Sequence, residues 1–362
     1  MRERIGTLTE RAGFWMKCAY SAFGGSQMTD ISLDELDFQI IHALQIDPRV
    51  RWNALSGVLG VDAHTLARRW QRLVDGGAVW LSAMQGIKRL DALALIEVDS
   101  FPGQVIAAAQ AIAELPGVAS IELATGACDL FITLFARDED ALARFLLEEI
   151  GTIPEIRAVR SHLVSDVAKE GSDWTIQALS AAQCARIPAP RPAREASAKR
   201  IDPALATAIR EALQNDVRMP VTELGARVGV SGQRAADALA RLRQQGQLQL
   251  RADMSERFNP YPAVNWLFLQ LPAPRLADAL EAFVSVPAVQ FAASSTGPAN
   301  AIVAIGARDR RGLVTAEIAL SQLVPELAVT NRMTMLRLYR HLGREVNGFE
   351  QTTGRAGMAG RS

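Results

Sequence analysis

The sequence is poor in the residues that catalytic, metal-binding and membrane-bound proteins depend on. Its three cysteines, Cys18, Cys128 and Cys184, are scattered through 362 residues. Such scatter argues against a disulfide framework or a zinc site and fits a reducing compartment. Only four histidines occur, and the chain has no His-Glu-x-x-His pair, no phosphate-cradling glycine loop and no nucleophile elbow. Hence no catalytic residue, no metal and no cofactor is expected. No apolar run approaches the roughly 18 residues needed to cross a bilayer. The first 27 residues carry Arg2, Arg4, Arg11 and Lys17 with no apolar stretch behind them, so they read as a disordered leader. A cytoplasmic protein with no membrane partner is expected. The 39 basic and 39 acidic residues cancel, so any affinity for nucleic acid must come from a local patch.

The clearest pattern lies at residues 47–79. Two apolar-periodic segments flank Gly60 and Val61, a connection suited to a tight turn between helices. The first turns Leu55, Val58 and Leu59 inward. The second opens on Asp62, a good N-cap, and buries Leu66, Trp70, Leu73 and Val74 before Gly76 and Gly77 stop it. Its other face shows His64, Thr65, Arg68, Arg69 and Arg72, a cluster suited to phosphates and base edges. Upstream, Ser32 and Glu35 are spaced as a capping box, and Leu33, Leu36, Ile40, Ile41 and Leu44 make a third helix. A short strand follows at 79–84, like a wing. The unit predicts a winged helix-turn-helix whose partner is double-stranded DNA.

These residues resemble the DNA-binding head of the Lrp/AsnC family of prokaryotic regulators. The Leu33-Asp34 and Asp37 opening, Arg49, the Arg68-Arg69 pair, Arg72-Leu73 and Gly77 all match its pattern. Against that resemblance, His64, Thr65, Arg68 and Arg69 are expected near base edges, and Arg49, Arg51 and Arg72 near phosphate.

The chain then repeats itself. Asp47-Pro48-Arg49 recurs as Asp216-Val217-Arg218, an offset of 169 (216 − 47), and in the same register Gly60-Val61 meets Gly229-Val230 and Gly77 meets Gly246. Residues 201–253 therefore form a second helix-turn-helix. There Asp237 and Ala238 stand in place of Arg68 and Arg69. Either Ser231, Gln233, Arg234 and Arg241 still touch DNA, or the second head is kept only for symmetry. Behind each head the order strand, helix, strand, strand, helix, strand predicts a ferredoxin-like βαββαβ unit. Pro116 pairs with Pro287 and Thr125-Gly126 with Thr296-Gly297, now at an offset of 171 (287 − 116).

The expected fold class is α+β, with winged helix-turn-helix and ferredoxin-like units duplicated in tandem. The expected division is a disordered leader at 1–30, heads at 31–85 and 201–255, and ferredoxin-like units at 86–169 and 256–345. A linker fills 170–200, with a short helix at 174–184 and a Pro/Ala stretch at 187–198, and a disordered tail 346–362. Apolar residues on alternate strand positions predict that the two sheets pack face to face.

The resemblance also implies a small-molecule effector, a free amino acid, held at a Gly-x-x-Asp turn, and assembly into homo-oligomers. The turn maps onto Thr125, Gly126 and Asp129, and more weakly onto Thr296, Gly297 and Asn300, where an amide replaces the carboxylate. Asp129 would pair an ammonium group while glycine amides take a carboxylate. A sirohaem decarboxylase group shares this architecture and supplies an enzyme alternative, for which His162 with Arg160, and His341 with Arg337 and Arg340, are the clusters of note.

Overall fold

The computed structural model describes residues 31–86, 92–192, 201–342, 344–347 and 351–353. The expected leader at 1–30 and most of the expected tail lie outside them. Helices α1 (Glu35–Ile46), α2 (Trp52–Leu59) and α3 (Ala63–Asp75) form the first head. Ile40, Ile41, Leu44, Leu55, Leu66 and Leu73 are fully buried between them, as helical spacing requires. One detail differs from expectation. The capping box of α1 is Asp34 with Asp37, each side chain accepting from the other's backbone N–H, whereas Ser32 lies ahead of the helix. Gly60 ends α2 at φ +71°, a left-handed geometry that a side chain would strain.

The expected wing is not a wing. Strand β1 (Val79–Met84) pairs antiparallel with β6 (Gln249–Met254), the equivalent strand of the second head, from Val79↔Met254 to Met84↔Gln249. A lone strand leaves its backbone groups unpaired; here each copy satisfies the other. The second head consists of α7 (Pro203–Asn215), α8 (Val221–Arg227) and α9 (Gly232–Gln244), and its core takes in Ala83 and Leu81 from the first.

The first ferredoxin-like unit contains β2 (Ala92–Ser100), α4 (Val105–Ala113), β3 (Val118–Gly126), β4 (Leu130–Ala136), α5 (Glu139–Arg144) and β5 (Ile156–Lys169). Between the repeats, α6 (Ala181–Arg186) packs on the first head: Arg186 donates to the Gly57 carbonyl, and the backbone N–H of Leu179 just ahead of it donates to His42 Nδ1 at 2.8 Å. The second unit contains β7 (Ala263–Gln270), α10 (Leu276–Val284), β8 (Val289–Ser295), β9 (Ala301–Ala307), α11 (Arg310–Leu323) and β10 (Ala328–His341). Backbone pairing repeats at the offset read from the sequence: Leu95↔Thr133 recurs as Trp266↔Ala304, and Glu97↔Phe131 as Phe268↔Ile302.

The fourth strand of each unit runs to 14 residues, and one half of it crosses to the other copy. β5 pairs with β2 as far as Leu163 and with β8 from Val164 to Lys169. β10 pairs with β7 from Ala328 to Thr334 and with β3 from Met333 to Arg340. The circuit β10-β3-β4-β2-β5-β8-β9-β7 closes on itself, so neither unit keeps a free edge along it. Each sheet's outer face packs on its own helices, through Ile96, Val98, Ile112 and Ile132 in one unit and Leu267, Leu269, Phe283 and Val303 in the other. The inner faces meet as expected: Leu95, Phe131, Trp266, Phe268, Ile302 and Met333 form one shared core.

Candidate nucleic-acid interface and effector cleft

Asp62 caps α3 by accepting from the amides of His64 (2.9 Å) and Thr65 (3.2 Å). Leu66, Trp70 and Leu73 face the core, while His64, Arg68, Gln71 and Arg72 are exposed and Thr65 and Arg69 half-buried. The arginines do not act alike. Arg69 is fastened to Asp34 (2.6 Å) and Asp37 (3.0 Å), and Arg72 to the other oxygen of Asp37. Asp37 is buried, its side chain 1% exposed, and a buried carboxylate needs cationic partners. Donating to Asp34 and Asp37 raises the Arg69 pKa, and Arg69 in turn holds Asp34 below the carboxylate range. Among the described residues Arg68 has no such partner, and Arg51, at the N-cap of α2, is exposed.

Arg49, expected at phosphate, is used inside the protein instead. It donates to the carbonyls of Val217 and of Met219 (2.7 Å) in the second head. Its counterpart Arg218 donates to Pro48 and Val50, both at 2.7 Å, and stacks 4.4 Å over Trp52. Burial lowers both pKa values, that of Arg218 to about 10, each with a neighbouring arginine adding to the fall. The two heads are thus clasped by a reciprocal pair that the sequence showed only as a repeat marker.

The matching face of α9 is partly occupied by other side chains. Asp237 is buried, paired to Arg191 of the linker at 3.0 Å and to Gln233 at 3.0 and 2.9 Å. Ser231 is spent as the N-cap, accepting from the Arg234 amide, and Arg234 and Arg241 are half-buried. Ala236 and Ala240, which match exposed or half-exposed positions in α3, are also buried. Of the four candidates, then, Ser231 and Gln233 already have structural work.

The turn after β3 opens a cleft of about 530 Å³ lined by Thr125, Gly126, Asp129, Asp99, Arg157 and Arg160. Gly126, at φ +105°, lies against β10: a Cβ there would come within 2.7 Å of the Arg332 carbonyl. Asp129 is not a free carboxylate, because it accepts from Ser100 N (2.9 Å) and Oγ (3.1 Å). The equivalent Asn300 likewise braces Leu271, accepting from its N–H at 2.9 Å and donating to its carbonyl at 2.7 Å. This position therefore holds the turn in both copies, as carboxylate or as amide. At the second turn, Thr296 and Gly297 are exposed and the Thr296 N–H donates to Leu163.

The cations of the first cleft come from β5. Arg160 reaches Asp99 (3.1 Å), Glu97 (3.3 Å) and the Ala127 carbonyl (2.9 Å), and Arg157 reaches Asp99 (3.5 Å). Glu97 continues inward to His162 at 2.7 Å. Glu97 was legible in principle: it is a charge at an inward position of the apolar run LALIEV. Burial pushes the Cys128 thiol up to about 12, which leaves it inert. Among the described residues no group of side chains could hold a metal ion, and no helix is long and apolar enough to cross a membrane.

Residues 33–74 match the AsnC-type helix-turn-helix domain and residues 92–174 the Lrp/AsnC ligand binding domain. An uncharacterised HTH-type transcriptional regulator of Pyrococcus abyssi is 31% identical over 144 residues, 39% of this chain and 91% of that protein. The chain belongs to the Lrp/AsnC family. Another match is the HTH-type transcriptional regulator FL11 of Pyrococcus horikoshii, 26% identical over 150 residues, 41% of this chain and 99% of that one. Among solved structures, the siroheme decarboxylase NirDL superposes with a TM-score of 0.53 at 15% identity, covering 87% of this chain and 95% of its own. At that identity the likeness is one of fold.

Proposed function

We propose that this protein is a DNA-binding transcription regulator of the Lrp/AsnC type, built as two fused reader-and-sensor units, 31–169 and 201–345. The observation that carries this reading is the outward face of α3, where Arg68 and His64 project from a capped helix with no protein partner among the described residues. Arg68, His64 and Thr65 approach base edges; Arg51, and Arg72 from the outer side of its ion pair, meet phosphate. The second head acts mainly as the clasp partner of the first. Because specific recognition normally uses two half-sites, two chains are needed per operator, which makes the working form a homo-oligomer.

The cleft beside Thr125, Gly126 and Asp129 takes a small effector with a carboxylate, an amino acid being the natural class. Arg157 and Arg160 supply the positive side, and the outer lone pairs of Asp129 and Asp99 the negative side. The enzyme alternative is less well supported. The cavity inside the sheets holds about 250 Å³, and three carboxylates line it. A polycarboxylate tetrapyrrole is too large and of the wrong sign for such a space.

The test is fluorescence anisotropy on DNA flanking the protein's own gene, across a salt series. Arg68→Ala is expected to weaken binding by about 1–3 kcal/mol if it reads a base. Arg51→Ala should lower the salt slope by about 0.9. Unchanged binding by both variants would refute the interface.

A further inference from the structure

The cavity of about 250 Å³ inside the sheets sits where their closed circuit meets the β1–β6 ribbon. It is separate from the effector cleft, sharing none of its lining residues. Its walls are apolar and aromatic: Leu95 and Phe135 from the first unit, Trp266 and Phe291 from the second. The ribbon strand β6 and Trp174 contribute another side, and Gln45 of α1 reaches its edge.

The charges in it are unevenly served. Asp253 is satisfied by Arg251 at 2.9 Å, Ser82 at 2.8 Å and His341 at 3.7 Å. Glu122 and Glu256 are held by neutral donors, the Trp266 indole N–H at 2.8 Å and the Leu338 amide at 3.3 Å. Among the described residues neither forms an ion pair. Burial, with Glu256 adding repulsion, pushes Glu122 up to about 7, and burial also raises Glu256. A cavity that places carboxylates beside aromatic faces favours a cation on both counts, by ion pairing and by attraction to the ring quadrupole.

We propose that this cavity is a second ligand site, and that it takes a small organic cation: an ammonium group on a compact apolar body. Its ammonium pairs with Glu122 while its body lies among Leu95, Phe135, Trp266 and Phe291. Such a ligand touches the sheets, the ribbon and the first head together, so it sets how the heads sit on the sheets. The inference does not rest on the DNA-binding reading.

The test uses the full-length protein and benzylamine, with phenylacetate and benzyl alcohol as anionic and neutral analogues, by calorimetry at pH 8. Benzylammonium is expected to bind saturably and phenylacetate not to bind. Glu122→Gln, which keeps an acceptor for Trp266, should weaken benzylammonium at least tenfold. Asp129→Asn, in the outer cleft, should leave it unchanged. Affinity should rise from pH 6 to 8 in the wild type and flatten in Glu122→Gln. The other charges facing the site are Glu256, Asp253, Arg251, His341 and Arg337; all are kept in the variant, so a slope that persists in Glu122→Gln would count against Glu122 as the anchor. Three results would overturn the proposal: no saturable binding of benzylammonium, equal binding by Glu122→Gln, or loss through Asp129→Asn instead.

Discussion

The clasp between the heads gives the most direct test of whether the two repeats work as one body. Arg49 and Arg218 each place two N–H donors on main-chain carbonyls of the opposite head. A hydrogen bond to a charged group contributes about 1.5–3 kcal/mol, so two contribute at most about 6. Against that stands the cost of burying two guanidiniums near one another, offset by Asp47 and Asp216. The net for Arg49→Met is about 2–4 kcal/mol, most of it from the two carbonyls left without donors. The substitutions should not add. The carbonyls that Arg218 grips flank Arg49 itself, so losing Arg49 loosens the turn that Arg218 holds. A double-mutant cycle with Arg218→Met should give a coupling of about 1 kcal/mol or more, read by urea unfolding, with the heads of each variant melting apart from the sheets. Single effects below about 0.5 kcal/mol, or strict additivity, would refute the clasp.

Glu122 predicts a pH dependence. Its carboxyl sits at about 7 in the fold against an ordinary 4.5, so the native state binds the extra proton and stability falls as pH rises from 4.5 to 7, by at most about 3 kcal/mol. Glu122→Gln should match the wild type near pH 4.5 and exceed it at pH 8, by denaturant midpoint; parallel curves would contradict this. Asp37→Asn should cost about 1–3 kcal/mol, because it removes the carboxylate that accepts from Arg72 and one of the two that accept from Arg69, yet steepen the salt dependence of DNA binding, because Arg72 and one side of Arg69 become available to phosphate. An unchanged slope would mean neither arginine reaches the duplex. Gly126→Ala should destabilise by about 1–3 kcal/mol through its φ and its approach to Arg332. A neutral effect by thermal melting would mean the turn moves freely away from β10.

What the sequence showed and what it hid divide along one physical line. Helical period, caps and glycine stops are local, so α1 to α3 and their repeats could be read residue by residue. Strand partners are not local. The run 79–84 carries the same pattern whether its neighbour is its own head or the other copy, and only the register Val79↔Met254 decides. The far half of β5 was harder to read: Val164 to Lys169 (VSDVAK) lacks a strand's strict alternation, its register is shifted twice, and its partner β8 lies far along the chain. Arginine roles were harder still. Arg49, Arg69 and Arg72 are identical letters to Arg68 until Asp34, Asp37 and the carbonyls of the second head are placed beside them.

Fusion also explains why charge can sit inside the shared core. At the repeat offset of 171, Glu97 corresponds to Phe268, His162 to Met333 and Glu122 to Ala293, and the pairing registers agree: His162 faces Leu95 where Met333 faces Trp266. In a dimer of identical chains every inward carboxylate would occur twice in one small interior, each paying its own desolvation. With two copies in one chain, the second can answer a charge with an aromatic or a small apolar side chain. His162 does so directly, its ring 5.0 Å from that of Phe268, and Glu122 takes its donor from Trp266. The asymmetry has therefore been placed where the two units touch. At these three positions the polar group lies in the first unit and its apolar counterpart in the second. The same division appears in the heads, where the first keeps Arg68 in the open and the second pairs the matching Asp237 with Arg191. An open arginine in one copy and a paired aspartate at the matching position in the other is an arrangement that a symmetric dimer of short chains cannot encode.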